Sequence, residues 1–218
     1  MKKTVIILLL NIFLGILHAQ DANNPIDPSP TLGVFNRFYD NDFSKTQLIA
    51  NVTFSKWFVR FSAEEQFNYN GDNEFKATNL LVSRLFTSKN EKNKYGFGAI
   101  ISYIDSKAWA GGINFVSVSK LKNKWKVITL TTLQSGSNIF AIEFQPGIYK
   151  NYNNGWYLRS HPRMLFDFET DKYEVPFGAG IGKIFDANWS LINLLFEPQY
   201  DFYNGYGMLY IGIKILWK

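Results

Sequence analysis

Tyr206 to Lys218 reads YGMLYIGIKILWK. In an extended chain, Leu209, Ile211, Ile213, Ile215 and Trp217 fall on one side. Tyr206, Met208, Tyr210, Gly212 and Lys214 fall on the other, because successive side chains of a strand alternate faces. One face is wholly apolar and ends on an aromatic. The other is mixed and carries a lysine. A soluble sandwich rarely finishes on a long strand with such an outer face. A barrel in a lipid bilayer needs one, because its last strand closes against its first and hydrocarbon solvates its outside. The stretch predicts an all-β protein: a transmembrane antiparallel up-and-down β-barrel.

Upstream, the chain reads as short extended segments broken by turn chemistry, with no helical period of 3.6 residues. The candidate strands are residues 32–39, 45–54, 57–69, 75–87, 95–104, 107–120, 125–134, 138–150, 156–169, 173–185, 189–202 and 206–218. Turn signals separate them: NGDN at Asn70, KNEKNK at Lys89, LKNK at Leu121, NNG at Asn153, DAN at Asp186 and NG at Asn204. This gives about twelve strands, with ten as the alternative because the Ser55-Lys56 turn is weak, and an even number suits a bacterial barrel. Many segments match the roughly 9 to 11 residues a tilted strand needs to cross a membrane.

Most strands declare two faces. Ile192, Leu194, Phe196, Pro198, Tyr200 and Phe202 oppose Asn193, Glu197, Gln199 and Asp201. Leu158, Met164, Phe166 and Phe168 oppose Tyr157, Arg159, His161, Arg163 and Asp167. Phe140, Ile142, Phe144 and Ile148 oppose Glu143, Gln145 and Tyr149. Trp57, Val59, Phe61 and Phe67 oppose Arg60, Ser62, Glu64 and Gln66. The apolar faces are too bulky for a small barrel's interior, so lipid outside and a wet lumen inside is the expected arrangement. Residues 75–87 and 125–134 declare no face. Trp57, Trp109, Trp125, Trp156, Trp189 and Trp217 lie near strand ends, where an interfacial girdle belongs.

The start of the chain reads differently. Lys2 and Lys3 precede an apolar run from Val5 to Leu17, and Leu17-His18-Ala19 is a small-residue cleavage site. Residues 1–19 are expected to be a secretory signal peptide, its apolar core too short to span a membrane. Residues 20–31 are polar and Pro-rich and are expected to be a disordered periplasmic lead-in. Residues 32–218 form the barrel, which is expected in the outer membrane. The formal charge is +5, and removing Lys2 and Lys3 leaves 21 basic against 18 acidic side chains. That balance is too weak to imply nucleic acid. No Cys occurs, which excludes disulfides, thiolate metal sites and Cys nucleophiles. An even strand count puts both termini in the periplasm. Asp40, Asp42, Asp72, Glu74, Glu169 and Asp171 then lie outside, and Lys89, Lys92, Lys94, Lys120, Lys122 and Lys124 inside.

From Ile139 the chain carries a series of motifs in order. They are Gln145-Pro146, Gly155-Trp156-Tyr157-Leu158, Pro162, Asp167, Val175-Pro176 with Gly178, Gly180, Gly182 and Lys183, and Glu197-Pro198-Gln199-Tyr200. Residues 139–218 thereby resemble a family of Gram-negative outer-membrane proteins, the neuromedin-U-like or phenol-degradation MetA-pathway family. The resemblance implies an outer-membrane barrel with a transport role and supplies no substrate.

The inward charges are the candidate functional residues: Arg60, Glu64, Glu143, Arg159, His161, Arg163, Asp167, Glu197, Asp201 and Lys214. They are expected either to select solutes at a constriction or to brace the lumen as ion pairs. Hairpin geometry is expected to set Glu143 across from the His161–Arg163 region, Lys214 near Asn193, and Glu197 near Gly178. The Gly178-x-Gly180-x-Gly182 run lacks the helix that a dinucleotide loop requires, so its glycines are expected to make room for long lumen side chains. His161 is the one histidine after the signal, and Ser160 beside it points to the opposite face, so no nucleophile–base pair forms. The chain is therefore expected not to be an enzyme and to need no metal or cofactor. The expected role is a passive channel or transporter for small molecules. The alternatives are a structural barrel with a self-plugged lumen and, behind it, a lipid-modifying enzyme. Expected partners are outer-membrane lipid, the barrel-assembly machinery through the C-terminal strand, and an unknown solute.

Overall fold

The computed structural model describes residue 26 and residues 29–105 and 108–218. The expected signal peptide, residues 1–19, lies outside them, as does most of the lead-in. Eight long strands come first: β1 (Thr31–Tyr39), β2 (Phe43–Phe54), β3 (Trp57–Asn68), β4 (Glu74–Thr87), β5 (Asn93–Ile104), β6 (Ala108–Lys120), β7 (Trp125–Gly136) and β8 (Ile139–Asn151). Five shorter pieces follow: β9 (Trp156–Ser160), β10 (Met164–Asp167), β11 (Lys172–Glu174), β12 (Pro176–Gly178) and β13 (Gly180–Ala187). β14 (Ser190–Asp201) and β15 (Tyr206–Trp217) complete the set.

The fifteen segments make twelve staves of one closed antiparallel barrel. β9 and β10 are halves of the ninth stave, since Ile148 pairs with Ser160 and Phe144 with Met164 in one unbroken register along β8. Pro162 lies in the gap, where it has no N–H for the ladder. β11, β12 and β13 form the tenth stave in the same way. The barrel shuts where the C-terminal stretch predicted: β15 pairs with β1 from Leu216↔Thr31 to Met208↔Tyr39. The doubtful Ser55-Lys56 turn is a tight two-residue hairpin, with Phe54 opposite Trp57 and Ser55 at φ 53°. Its sequence signal is weak because neither residue is the Gly, Asn or Asp that usually takes a positive φ in a two-residue hairpin.

The faces sort as the alternation requires. Phe196, Ile211 and Ile213 are 47%, 39% and 44% exposed, while Arg159 and Glu197 are 7% and 0% exposed. The barrel is thus inside out relative to a soluble one. Five of the six tryptophans gather at the end that carries both termini, where Trp57, Trp125 and Trp156 start strands and Trp189 and Trp217 flank β14 and β15. The far end carries exposed Tyr69, Phe75, Trp109, Phe140, Phe168, Phe177 and Phe202. Two aromatic girdles with an apolar band between them match the two interfaces of a bilayer.

Three expectations need correction. β4 and β7 do have faces: Leu81, Ser83 and Leu85 look inward on β4, and Ile128, Leu130 and Thr132 on β7. They hid because their lumen side is apolar near the termini end, where the interior packs as a hydrophobic core instead of holding water. Glu197 stands beside Gly180, and Gly178 lies opposite Gln199. The reason is the turn, whose two residues are Asn188 and Trp189, so Ala187 pairs with Ser190. Finally, the lead-in is not wholly free of structure. Ile26 and Ser29 are buried, and the Pro30 carbonyl accepts a hydrogen bond from the Trp217 N–H at 3.1 Å.

Candidate functional site

The lumen is built in levels. At the far end is an open vestibule of about 310 Å³, with Lys45, Lys76, Arg163 and Lys172 facing Glu64, Asp105, Glu143, Asp167 and Glu174. Period-two alternation aims Lys45, Glu64, Glu143, Asp167, Lys172 and Glu174 inward, whereas Lys76 lies at the register shift between β3 and β4 and Asp105 in the turn after β5. Lys45 on β2 pairs with Glu174 on β11 at 2.6 Å and lies over the Tyr39 ring. Charge of both signs lines the entrance.

Below it lies an ion-pair belt. The Arg163 guanidinium pairs with Glu64 and, at 2.7 Å, with Glu143. Arg37 stands 3.5 Å from the same Glu64 oxygen. The Gln145 amide donates to Glu143. A void of about 20 Å³ beside Arg60, Ser62, Asn79 and Gln134 has room for a single water.

A second polar cluster follows. Arg159 Nε sits 2.5 Å from Glu197 Oε2. The other Glu197 oxygen accepts from the His161 N–H at 3.0 Å and the Gln199 amide at 2.8 Å. His161 Nδ1 is 2.7 Å from the Tyr149 hydroxyl, and the Tyr157 hydroxyl donates to Asn193 at 2.8 Å. The Arg159 guanidinium lies over the rings of Tyr149 and Tyr210, and Arg37 over Tyr210 from the other cluster. Tyr210 therefore links the two. A cavity of about 90 Å³ opens here, lined among others by Arg60, Arg159, His161, Asn193 and Lys214. It has room for a few waters. Below it the wall turns apolar.

The structure brings eight of the ten candidates into the lumen's middle: Arg60, Glu64, Glu143, Arg159, His161, Arg163, Glu197 and Lys214. Lys214 pairs directly with Asn193, as hairpin geometry required. Asp167 and Asp201 sit at the far rim, where their carboxylates hold turns. Asp167 accepts from the Glu169 and Thr170 N–H groups and the Thr170 hydroxyl. Asp201 accepts from the Val175, Tyr203 and Asn204 N–H groups. Arg37 escaped sequence reading. Its signal was present in β1, where Leu32, Val34 and Phe38 face out and set Gly33, Phe35 and Arg37 inward.

The glycine run makes the expected room at one position. A Cβ on Gly182 would fall 2.0 Å from the Tyr157 ring, and one on Gly180 would fall 2.6 Å from Glu197 Cβ. Only at Gly182 is the neighbour a long lumen side chain; a Cβ on Gly178 or Gly180 would first meet the Pro198 or Phe196 carbonyl oxygen of β14. None of the described side chains lining the 90 Å³ cavity is a serine, and the hydroxyl beside His161 is that of Tyr149. Among the described residues no cluster of three His, Asp or Glu side chains could hold a metal ion.

No family model and no curated protein matches the chain. Solved structures do. The KdgM porin in complex with disordered oligogalacturonate superposes with a TM-score of 0.60 at 10% identity, covering 86% of this chain and 98% of that one. A second KdgM porin structure gives 0.57 at 10% identity, over 84% and 97%. A structure described under the in-meso crystallization of membrane proteins gives 0.52 at 13% identity, over 86% and 83%. With its apolar exterior, its two girdles and its charged interior, the chain has the closed twelve-strand barrel fold of these porins.

Proposed function

We propose that this protein is an outer-membrane channel that passes small polar solutes passively through a charged constriction. The observation that carries the reading is the Arg163–Glu64–Glu143 belt, which stands across the lumen between the vestibule and the 90 Å³ cavity. A solute crossing the barrel must exchange its hydration for these fixed charges, which is how charged rings select. The vestibule mixes both signs, so it lacks the one-sign field that would draw a polyanion. The oligogalacturonate of the KdgM neighbour is accordingly not carried over, and small neutral or zwitterionic solutes suit this entrance better. The resemblance to the MetA-pathway family supports a transport role. With an even stave count, the termini end faces the periplasm and the vestibule the outside. Bilayer lipid covers the apolar band, and the barrel-assembly machinery reads the aromatic C-terminal strand. No catalytic step or cofactor is needed.

A second reading is a barrel closed by its own ion pairs, favoured by the carboxylates and guanidiniums that already satisfy one another. Purified protein in planar bilayers separates the two. A channel gives discrete conductance steps and swells liposomes in small sugars or amino acids. Silence in both assays, for the native chain and for Arg163→Ala, leaves only the closed barrel.

A further inference from the structure

The lumen near the termini is apolar, which a water-filled passage does not want. Phe58, Leu85, Val116, Ile128 and Tyr157 come from five different staves and form one buried cluster. Bared to water, that ring would carry the usual penalty of hydrated hydrocarbon. It is not bare, because Ile26 is buried within the same cluster at 0% exposure.

Ile26 belongs to no strand. It precedes β1, whose first residue, Thr31, already sits in the wall opposite Leu216 and Asn51. Ile26 therefore lies inside the mouth, while Thr31 stands in the wall. Its junction with the wall is pinned, with Ser29 buried and the Pro30 carbonyl bound to the Trp217 N–H. The sequence from Gln20 to Pro30, QDANNPIDPSP, has one large aliphatic side chain, and that is Ile26. It is the residue best able to fill an apolar seat.

We propose that Ile26 is an in-chain stopper that closes the lumen at the termini end, and that the channel opens when Ile26 leaves its seat. This rests on the channel reading above and names its regulation. A single aliphatic anchor makes the seat reversible. The belt at Arg163 would then select, and the stopper would gate.

The chain has no cysteine, so Ile26→Cys supplies a unique thiol. In the folded barrel, a charged, membrane-impermeant maleimide should label it roughly tenfold or more slowly than Leu121→Cys, a control in an exposed turn at the same end. Removing residues 21–28, or making Ile26→Asp, should raise conductance several-fold over the native chain. The two variants guard each other, since the deletion spares every strand and the substitution keeps the length. If the Ile26→Cys thiol reacts at the control's rate while the native chain conducts, the stopper is overturned and the channel stands. If the thiol is protected and no form conducts, the channel reading falls and the gating role falls with it.

Discussion

Arg163 reaches across the barrel to Glu64. The two lie 99 residues apart, on the ninth and third staves, which face each other in a ring of twelve. The same guanidinium holds Glu143 on the eighth stave. One arginine thus ties opposite walls. Unpaired, each of these groups would be costly in so enclosed a place, so both fixing the geometry and setting the field fall to the same side chains.

Removing either partner should move ion selectivity in opposite directions. Arg163→Ala leaves the Glu64 and Glu143 carboxylates in the belt and should favour cations. Glu64→Ala leaves Arg37 without its carboxylate and should favour anions. Reversal potentials across a salt gradient read the sign directly. Identical potentials in both variants and the native chain would remove the belt from the conduction path.

Glu197 should be a pillar of stability. It is fully buried and serves Arg159, the His161 N–H and the Gln199 amide at once. Glu197→Ala strands a buried guanidinium and should cost about 3–5 kcal/mol, the usual penalty for breaking a buried pair. Glu197→Gln keeps an acceptor for the backbone and should cost less. Unfolding of the barrel in detergent gives the comparison, and equal losses would count against the ion pair.

Gly182 and Tyr157 should be coupled. Gly182→Ala pushes a methyl into the Tyr157 ring and should destabilise by about 1–3 kcal/mol through overpacking. In a Tyr157→Ala background the same change should be nearly neutral. A double-mutant cycle measures the difference, and additive effects would show that the ring does not rest on Gly182.

The two sides of the wall should answer differently to charge. Ile213 lies midway along β15 on the outer face, and Ile213→Arg should cost about 2–4 kcal/mol if that face meets hydrocarbon. Asn79 lines the vestibule, and Asn79→Arg should be tolerated. Refolding into lipid vesicles reports both. A neutral Ile213→Arg would mean that water, not lipid, touches β15.

Some parts of this protein were legible residue by residue and others were not. β14 and β15 announced both faces because every second residue is bulky and apolar while the residues between them are mixed and include Asn193, Glu197, Gln199, Asp201 and Lys214. β4 and β7 hid theirs, since Leu81, Leu85, Ile128 and Leu130 face a packed interior and look like outward residues in a list. Most of the belt was named in advance, because a charge between apolar neighbours on a strand has only the lumen to point to. Its pairings were harder. Arg37 was passed over, and Glu197 was set two residues away from its true neighbour because the Asn188-Trp189 turn is centred later than the sequence suggests.

By itself, the sequence determined which side of most strands faces outward and which meets the interior, with β4 and β7 as the exceptions. Alternation is a local property of an extended backbone, and it survives errors in strand ends and register. Only the closed barrel decided that Arg163 meets Glu64, that Tyr210 lies between Arg37 and Arg159, and that Ile26 fills the apolar mouth. Those meetings depend on ring closure and on the stagger of twelve staves, which bring together residues that no local pattern relates.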